Sequence, residues 1–240
     1  MYRNYKGFNS IVIICICDAK YRITYVDIGA YGRRGDSCIF SISDFGVKFE
    51  TEQMNLPDPE KITIDGPPLP YCLVGDEAFP LSNYLQRPYP GKNISIERRI
   101  FNYRLSRARR LIENVFGILA SRWRILRRPI DTTVDTAKKI VQATVVLHNY
   151  LRIKDIEANE YITPEMVDQE NEIQENIPGS WRRFQGSWCF QDVTRIGRNN
   201  STIQAMEIRD EFCKYFCGVG AVPWQYDKIS SFLSSNYSKY

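Results

Sequence analysis

The 240 residues carry 32 Lys and Arg against 28 Asp and Glu, a formal net charge of +4, and 43% of them are hydrophobic. That balance is ordinary for a globular chain with a real core. The longest apolar run, Ile11 to Cys17, is too short to span a bilayer, and the opening Met-Tyr-Arg-Asn-Tyr-Lys-Gly has no apolar signal segment, so neither membrane insertion nor secretion is expected. Seven cysteines without a secretory signal fit a reduced, intracellular chain better than a disulfide scaffold. The single histidine, His148, excludes a Cys2His2 zinc finger, and no pair of Cys-x-x-Cys knuckles replaces it. Catalysis, if present, has to rest on carboxylates.

Residues Ser10 to Cys17 and Tyr21 to Gly29 are rich in Ile, Val, Tyr and Thr, and Asp18-Ala-Lys20 separates them; they predict an antiparallel hairpin. Cys15 and Cys17 alternate on one strand face and read as a packed pair. A glycine-rich turn, Gly29 to Gly35, leads to Asp36, and a short helix is expected over Ser37 to Glu52. Five prolines between Leu56 and Pro70 mark a loop. Leu69 to Val74 predicts a short buried strand running into Gly75-Asp76.

From Glu97 to Leu126 apolar residues recur at 101, 105, 108, 112, 115 and 119, the spacing of a long amphipathic helix. A second helix follows over Thr133 to Lys154, capped near Asp131 to Thr133, and a third over Ala205 to Phe216. Strands first and helices after them predict an α/β fold with a mixed sheet.

Charge is unevenly placed. Between Arg98 and Arg128 stand ten arginines (98, 99, 104, 107, 109, 110, 122, 124, 127 and 128) and one acid, Glu113, a local charge of +9 from ten less one. From Asp155 to Glu175 there are eight carboxylates and no Lys or Arg. A basic helix beside an acidic, weakly apolar segment suits a polyanion-facing surface next to a linker, and a solvated helix face is the plainer alternative. The guanidinium fork grips phosphate in two places, which favours phosphate contacts.

Three acids sit where ligands for two-metal phosphoryl transfer usually arise. Asp36 follows the glycine turn, although it could simply cap the next helix. Asp76 ends a strand, or serves a turn. Glu113 is the one acid in the arginine field, or a helical ion-pair partner of Arg109 or Arg110. Oxygen ligands of this kind suit Mg2+ or Mn2+. Asp18, in the hairpin turn, and Asp27 are poorer candidates. His148 follows the helical run Val141 to Leu147 and reads as a structural residue bonded inside the fold rather than a base; Trp123, Trp181, Trp188 and Trp224 read as packing residues before base-stacking ones.

Asn4-Tyr-Lys-Gly7, Gly32-Arg-Arg-Gly-Asp36, Leu73-Val-Gly-Asp-Glu-Ala-Phe-Pro-Leu81, Phe101-Asn-Tyr-Arg-Leu-Ser-Arg-Ala-Arg109, Glu113-Asn-Val-Phe-Gly117 and Leu147-His-Asn149 follow one another in order. Together they resemble the DDE nuclease domain of PIF/Harbinger transposases and transposase-derived nucleases, over residues 1 to about 155. Pro178-Gly-Ser-Trp-Arg182 and Val222-Pro-Trp-Gln225 also look like the tail of such transposases.

The resemblance implies an RNase H-like mixed sheet flanked by helices and a divalent metal (Mg2+ or Mn2+). It implies catalytic, metal-binding acids at Asp36, Asp76 and Glu113. It further implies a nuclear location, with the cytoplasm as a second compartment, and a Myb-like DNA-binding partner protein. In the family another catalytic aspartate lies on a strand just upstream of the Asn-Tyr-Lys-Gly motif, which here begins at residue 4. An N-terminally truncated domain lacking that strand, and with it weak or no cleavage, is therefore expected.

The resulting expectation is a DDE endonuclease domain over 1–155, an acidic linker over 156–180, and a tail over 181–240 with one helix. Arg104, Arg107, Arg109 and Arg110 would contact the DNA backbone. The alternative is a module that keeps the fold and binds DNA or protein without cutting. The oligomeric state is not legible in the sequence.

Overall fold

A computed structural model describes residues 9–31, 36–155, 160–170, 176–183, 189–190 and 201–229; of Tyr31, Asp36 and Ser37 only the backbone is described. In chain order the elements are β1 (Ile11–Cys17), β2 (Ile23–Tyr31), α1 (Asp36–Ile42), α2 (Asp44–Glu50), β3 (Glu60–Lys61), β4 (Pro68–Leu69), β5 (Leu73–Val74) and β6 (Leu85–Gln86). Then follow α3 (Ile96–Arg122), α4 (Val134–Lys154), β7 (Gln169–Glu170), β8 (Asn176–Ile177) and α5 (Ile203–Cys217). The fold is mixed α/β, as expected. Among the described residues the strands pair two by two, antiparallel except for the parallel β5–β6, rather than joining one sheet. By contacts the chain divides into two compact units, Met1–Ile39 with Arg110–Thr194, and Phe40–Arg109 with Arg195–Tyr240.

In the first unit β1 and β2 form the expected hairpin. Its turn is fixed by Asp18, whose Oδ1 accepts the N–H groups of Lys20 at 2.8 Å and Arg22 at 2.9 Å, while Tyr21 adopts a left-handed φ of 62°. Burial pushes the Cys15 and Cys17 thiols up, Cys17 to about 11. Helix α4 opens on Thr133, whose hydroxyl accepts the Thr136 N–H, and packs on β2. Ile23, Val115, Leu119, Ala120, Leu126, Val141 and Val145 form the buried core.

Two residues of α4 tie it to the hairpin. The Asn149 side chain accepts from the Ile23 N–H at 2.9 Å and donates to its carbonyl at 2.7 Å, pairing like a strand residue. His148, fully buried, places Nε2 2.7 Å from the Tyr21 carbonyl and Nδ1 2.9 Å from the Tyr161 hydroxyl. A carbonyl only accepts, so Nε2 carries the hydrogen and Nδ1 takes the Tyr161 O–H. Burial lowers its pKa against the Tyr21 bond, and the residue is structural as the sequence indicates.

Part of the segment expected as an acidic linker is packed. Tyr161 and Ile162 are buried with Ile118 of α3, and β7 pairs with β8. The buried Asp155 carboxylate accepts the N–H groups of Glu160 and Tyr161, both at 2.8 Å, which turns the chain back at the end of α4. Asp155, Asp168 and Glu170 are taken up by local hydrogen bonds and arginine partners, whereas Glu160 and Glu165 stay exposed.

In the second unit the helix expected over Ser37 to Glu52 is two helices, broken at Ser43. Ser43 donates to the Phe40 carbonyl at 2.7 Å and caps α2 by accepting the Gly46 N–H at 3.0 Å. A Cβ at Gly46 would lie 1.9 Å from the Phe40 carbonyl oxygen, so only glycine allows this corner. Tyr89, Phe101, Leu105 and Cys213 make the core here, with Phe212 and Phe216 of α5 packed against it. The strand expected over Leu69 to Val74 is reduced to Leu73–Val74, with Val74 exposed. The boundary between the units falls inside α3, after Arg109. Along α3 the predicted stripe is buried or half-buried at 101, 105, 112, 115 and 119, but Ala108 is exposed.

Candidate metal centre and nucleic-acid interface

Glu113 lies in the part of α3 that belongs to the first unit, on the turn before the buried residues Val115, Ile118 and Leu119. Its side chain is 42% exposed, and Oε2 accepts from Arg182 Nη2 at 2.7 Å. Arg182 in turn is bound by Asp168, whose side chain is only 4% exposed. Asp168 accepts from Arg182 Nε at 2.9 and 3.0 Å, from Nη2 at 2.6 Å and from the Gly179 N–H at 2.8 Å. Burial works to raise the Asp168 carboxyl, but the Arg182 and Gly179 hydrogen bonds outweigh it and hold it below the usual range. The same bonds to Asp168 foremost, against burial, and then the bond to Glu113 raise the Arg182 pKa.

The rest of the Glu-Asn-Val-Phe-Gly motif holds this segment on the helix. Asn114 Oδ1 accepts the Asp168 N–H at 3.0 Å and the Trp181 indole N–H at 3.1 Å. At Gly117 a Cβ would lie 2.4 Å from the Trp181 ring, so glycine is what lets the indole lie on the helix. Arg110 Nη1 pairs with Glu170 Oε1 at 3.2 Å, both side chains largely buried.

Asp76 belongs to the second unit, two residues after β5. Its Oδ1 accepts the Ala78 N–H at 2.8 Å, and Oδ2 lies 3.8 Å from Arg109 Nη2. The side chain is 37% exposed. Gly75 sits where a Cβ would press on Phe79 and Leu85 at 3.2 Å, which keeps this turn tight. Asp36 is the first residue of α1; its side chain lies outside the described residues.

Each described acid offers hard oxygen donors that suit Mg2+ or Mn2+ and is open to solvent. Among the described residues no three His, Cys, Asp or Glu side chains gather as a metal site. Asp76 and Glu113 fall in different units, and the structure describes each within its own.

The four arginines expected on DNA differ. Arg104 is half-buried, donates to the Gly220 carbonyl at 3.0 Å and the Gln225 side chain at 3.3 Å, and lies over the Phe216 ring. Arg110 is paired with Glu170 as above. Arg107 stacks over Tyr103 and Trp224, and Arg109 faces Asp76. Elsewhere on the basic stretch Arg99, Arg122 and Arg127 donate to backbone carbonyls, whereas Arg124 and Arg128 are exposed. Trp123 is packed against the core of the first unit, and Trp188 lies outside the described residues. The sequence reading missed Asp168 and Arg182. A glycine inside a helix, at 117, is the signal that something lies close on that face.

A family model for DDE superfamily endonucleases matches residues 1–149. The chain belongs to this family of DDE superfamily endonucleases. It is 28% identical over 215 residues to a protein named Protein ALP1-like from Arabidopsis thaliana, covering 87% of this chain and 47% of that protein. The chain therefore spans about half the length of this curated relative. No solved structure matches it.

Proposed function

We propose that this chain is a DNA endonuclease of transposase origin, of the Harbinger type, that works with a divalent cation. The observation that carries the reading is Glu113. The lone acid of an arginine-rich stretch stands open to solvent on a half-buried helix, with Arg182 fixing one of its oxygens at 2.7 Å. Membership of the DDE endonuclease family supports nuclease chemistry, and the all-oxygen donor set of Asp36, Asp76 and Glu113 supports Mg2+ or Mn2+. An RNase H-like fold belongs to the same proposal.

When bound, such a cation would activate water and stabilise the leaving oxygen of a phosphodiester. The chain's own part is to offer carboxylate oxygens to the cation and to bind the DNA strand. Arg107 and Arg109 are the better candidates for phosphate contact, with the exposed Arg124 and Arg128; Arg104 and Arg110 serve first to hold the chain together. A nuclear location and a Myb-like DNA-binding partner complete the reading.

A plasmid assay tests it. Supercoiled DNA should be nicked, if only weakly, in Mn2+ and not in EDTA, and Asp76→Asn or Glu113→Gln should each reduce that rate by 100-fold or more, a loss on the scale of removing a metal ligand, roughly 3 kcal/mol or more. Cleavage that survives both substitutions would remove the proposal. A second reading, a DNA- or protein-binding module without cleavage, is favoured by the arginine beside each acid, Arg109 at Asp76 and Arg182 at Glu113. DNA binding without nicking under any metal would select it.

A further inference from the structure

We propose that Arg182 is a positioning residue for Glu113, anchored by Asp168, so that Asp168 and Arg182 form part of the working site although they lie beyond the stretch that matches the family. The proposal rests on the reading above, in which Glu113 holds a cation.

Geometry separates anchor from tip. Three contacts of 2.6 to 3.0 Å tie the Arg182 guanidinium to Asp168, and one Nη2 contact of 2.7 Å reaches Glu113 Oε2. Asp168 is 4% exposed at its side chain and is itself held by the Gly179 N–H, so the anchor is fixed inside the fold. A planar guanidinium can fork onto one carboxylate and still point a further N–H elsewhere; a lysine ammonium on a flexible stem does this poorly.

Charge explains why such a contact does not repel a cation. Asp168 and Arg182 together are neutral, so Glu113 receives a directed hydrogen-bond donor from a pair with no net charge. Outer hydrogen bonds of this sort orient ligating carboxylates, and their loss typically costs about 10- to 100-fold in metal affinity. The contact between Arg182 and Glu113 is partly exposed, and an exposed ion pair by itself contributes little to stability. Its value lies in orientation.

The segment is also built to stay. Asn114, next to Glu113, accepts from both Asp168 and Trp181, Gly117 admits the Trp181 indole, and Arg110 pairs with Glu170. Thus α3 carries Glu113 and, within the same two turns, the groups that seat the arginine steering it.

The test is calorimetric titration of the 240-residue chain with MnCl2, alongside thermal unfolding. Variants are Glu113→Gln, Arg182→Gln, Arg182→Lys and Asp168→Asn. Arg182→Gln is expected to weaken Mn2+ binding 10- to 100-fold, Asp168→Asn comparably, and Arg182→Lys less, with Mn2+ affinity not tracking the melting temperature. Should Arg182→Gln not fold, Asp168→Asn and Arg182→Lys carry the same comparison. Unchanged or tighter Mn2+ binding in the Arg182 and Asp168 variants, with binding lost in Glu113→Gln, would overturn the positioning role and leave the metal reading standing. Mn2+ binding indifferent to Glu113→Gln would overturn both.

Discussion

The indole N–H of Trp181 donates to Asn114 Oδ1 at 3.1 Å across 67 residues of chain, and the same oxygen accepts the Asp168 N–H at 3.0 Å. One asparagine thus seats the segment that carries Arg182, and Gly117 gives it room. Gly117→Ala gains about 1 kcal/mol of helix propensity but forces the Trp181 ring away, an overpacking cost of about 1–3 kcal/mol. The expected outcome is a lower melting temperature and faster limited tryptic cleavage after Arg182 or Arg183. A higher melting temperature with unchanged cleavage would show that Trp181 does not lie on that face.

Arg104 and Arg107, one turn apart on α3, should respond in opposite ways. Arg104→Gln removes bonds to Gly220 and Gln225 and the stacking on Phe216, so it should destabilise the chain by about 1–3 kcal/mol and leave the salt dependence of DNA binding unchanged. Arg107→Gln should cost little stability but lower the slope of log K against log salt by about 0.9, the value for one phosphate contact. DNA affinities measured between 50 and 300 mM NaCl, beside urea unfolding of each variant, check both. A slope carried by Arg104 rather than Arg107 would reverse the assignment.

His148 should make stability depend on pH. Its pKa is lowered by burial, so the neutral ring is the folded form. The unfolded chain binds the proton first as pH falls below about 6.5, the ordinary histidine value, while the folded chain resists it. The contribution is therefore complete above that pH and is lost as pH falls toward the folded value. Urea midpoints should fall between pH 7.5 and 5.5, with a smaller fall in His148→Gln. Equal falls in both chains would place the titrating group elsewhere.

Local order was legible in the sequence. The β1–β2 hairpin, the long helix α3, the cap of α4 and the structural role of His148 follow from residue spacing, turn residues and apolar periodicity, each of which acts over a few residues. What was not legible is pairing at a distance. The docking of Asp168, Trp181 and Arg182 on α3 leaves no periodic trace, because a single asparagine and a single glycine carry it. The allocation of arginines was hidden for a related reason: Arg99, Arg122 and Arg127 bond to backbone carbonyls, which every residue type offers. The break at Ser43 turned on one close approach at Gly46. Of the three candidate acids, Glu113 stands on the expected long helix and Asp76 in the turn after β5, but their arginine neighbours were only partly visible, Arg109 by its place in the basic run and Arg182 only as the end of the Pro178-Gly-Ser-Trp-Arg182 motif.

The proposed function turns on Glu113 as a ligand of a divalent cation. Anomalous scattering from Mn2+ in crystals of the chain measures this directly. The expected result is a Mn2+ peak with a carboxylate oxygen of Glu113 about 2.0–2.4 Å from the ion, the range of hard-cation oxygen ligation, and no peak there in Glu113→Gln. Mn2+ peaks that do not touch Glu113 would contradict it.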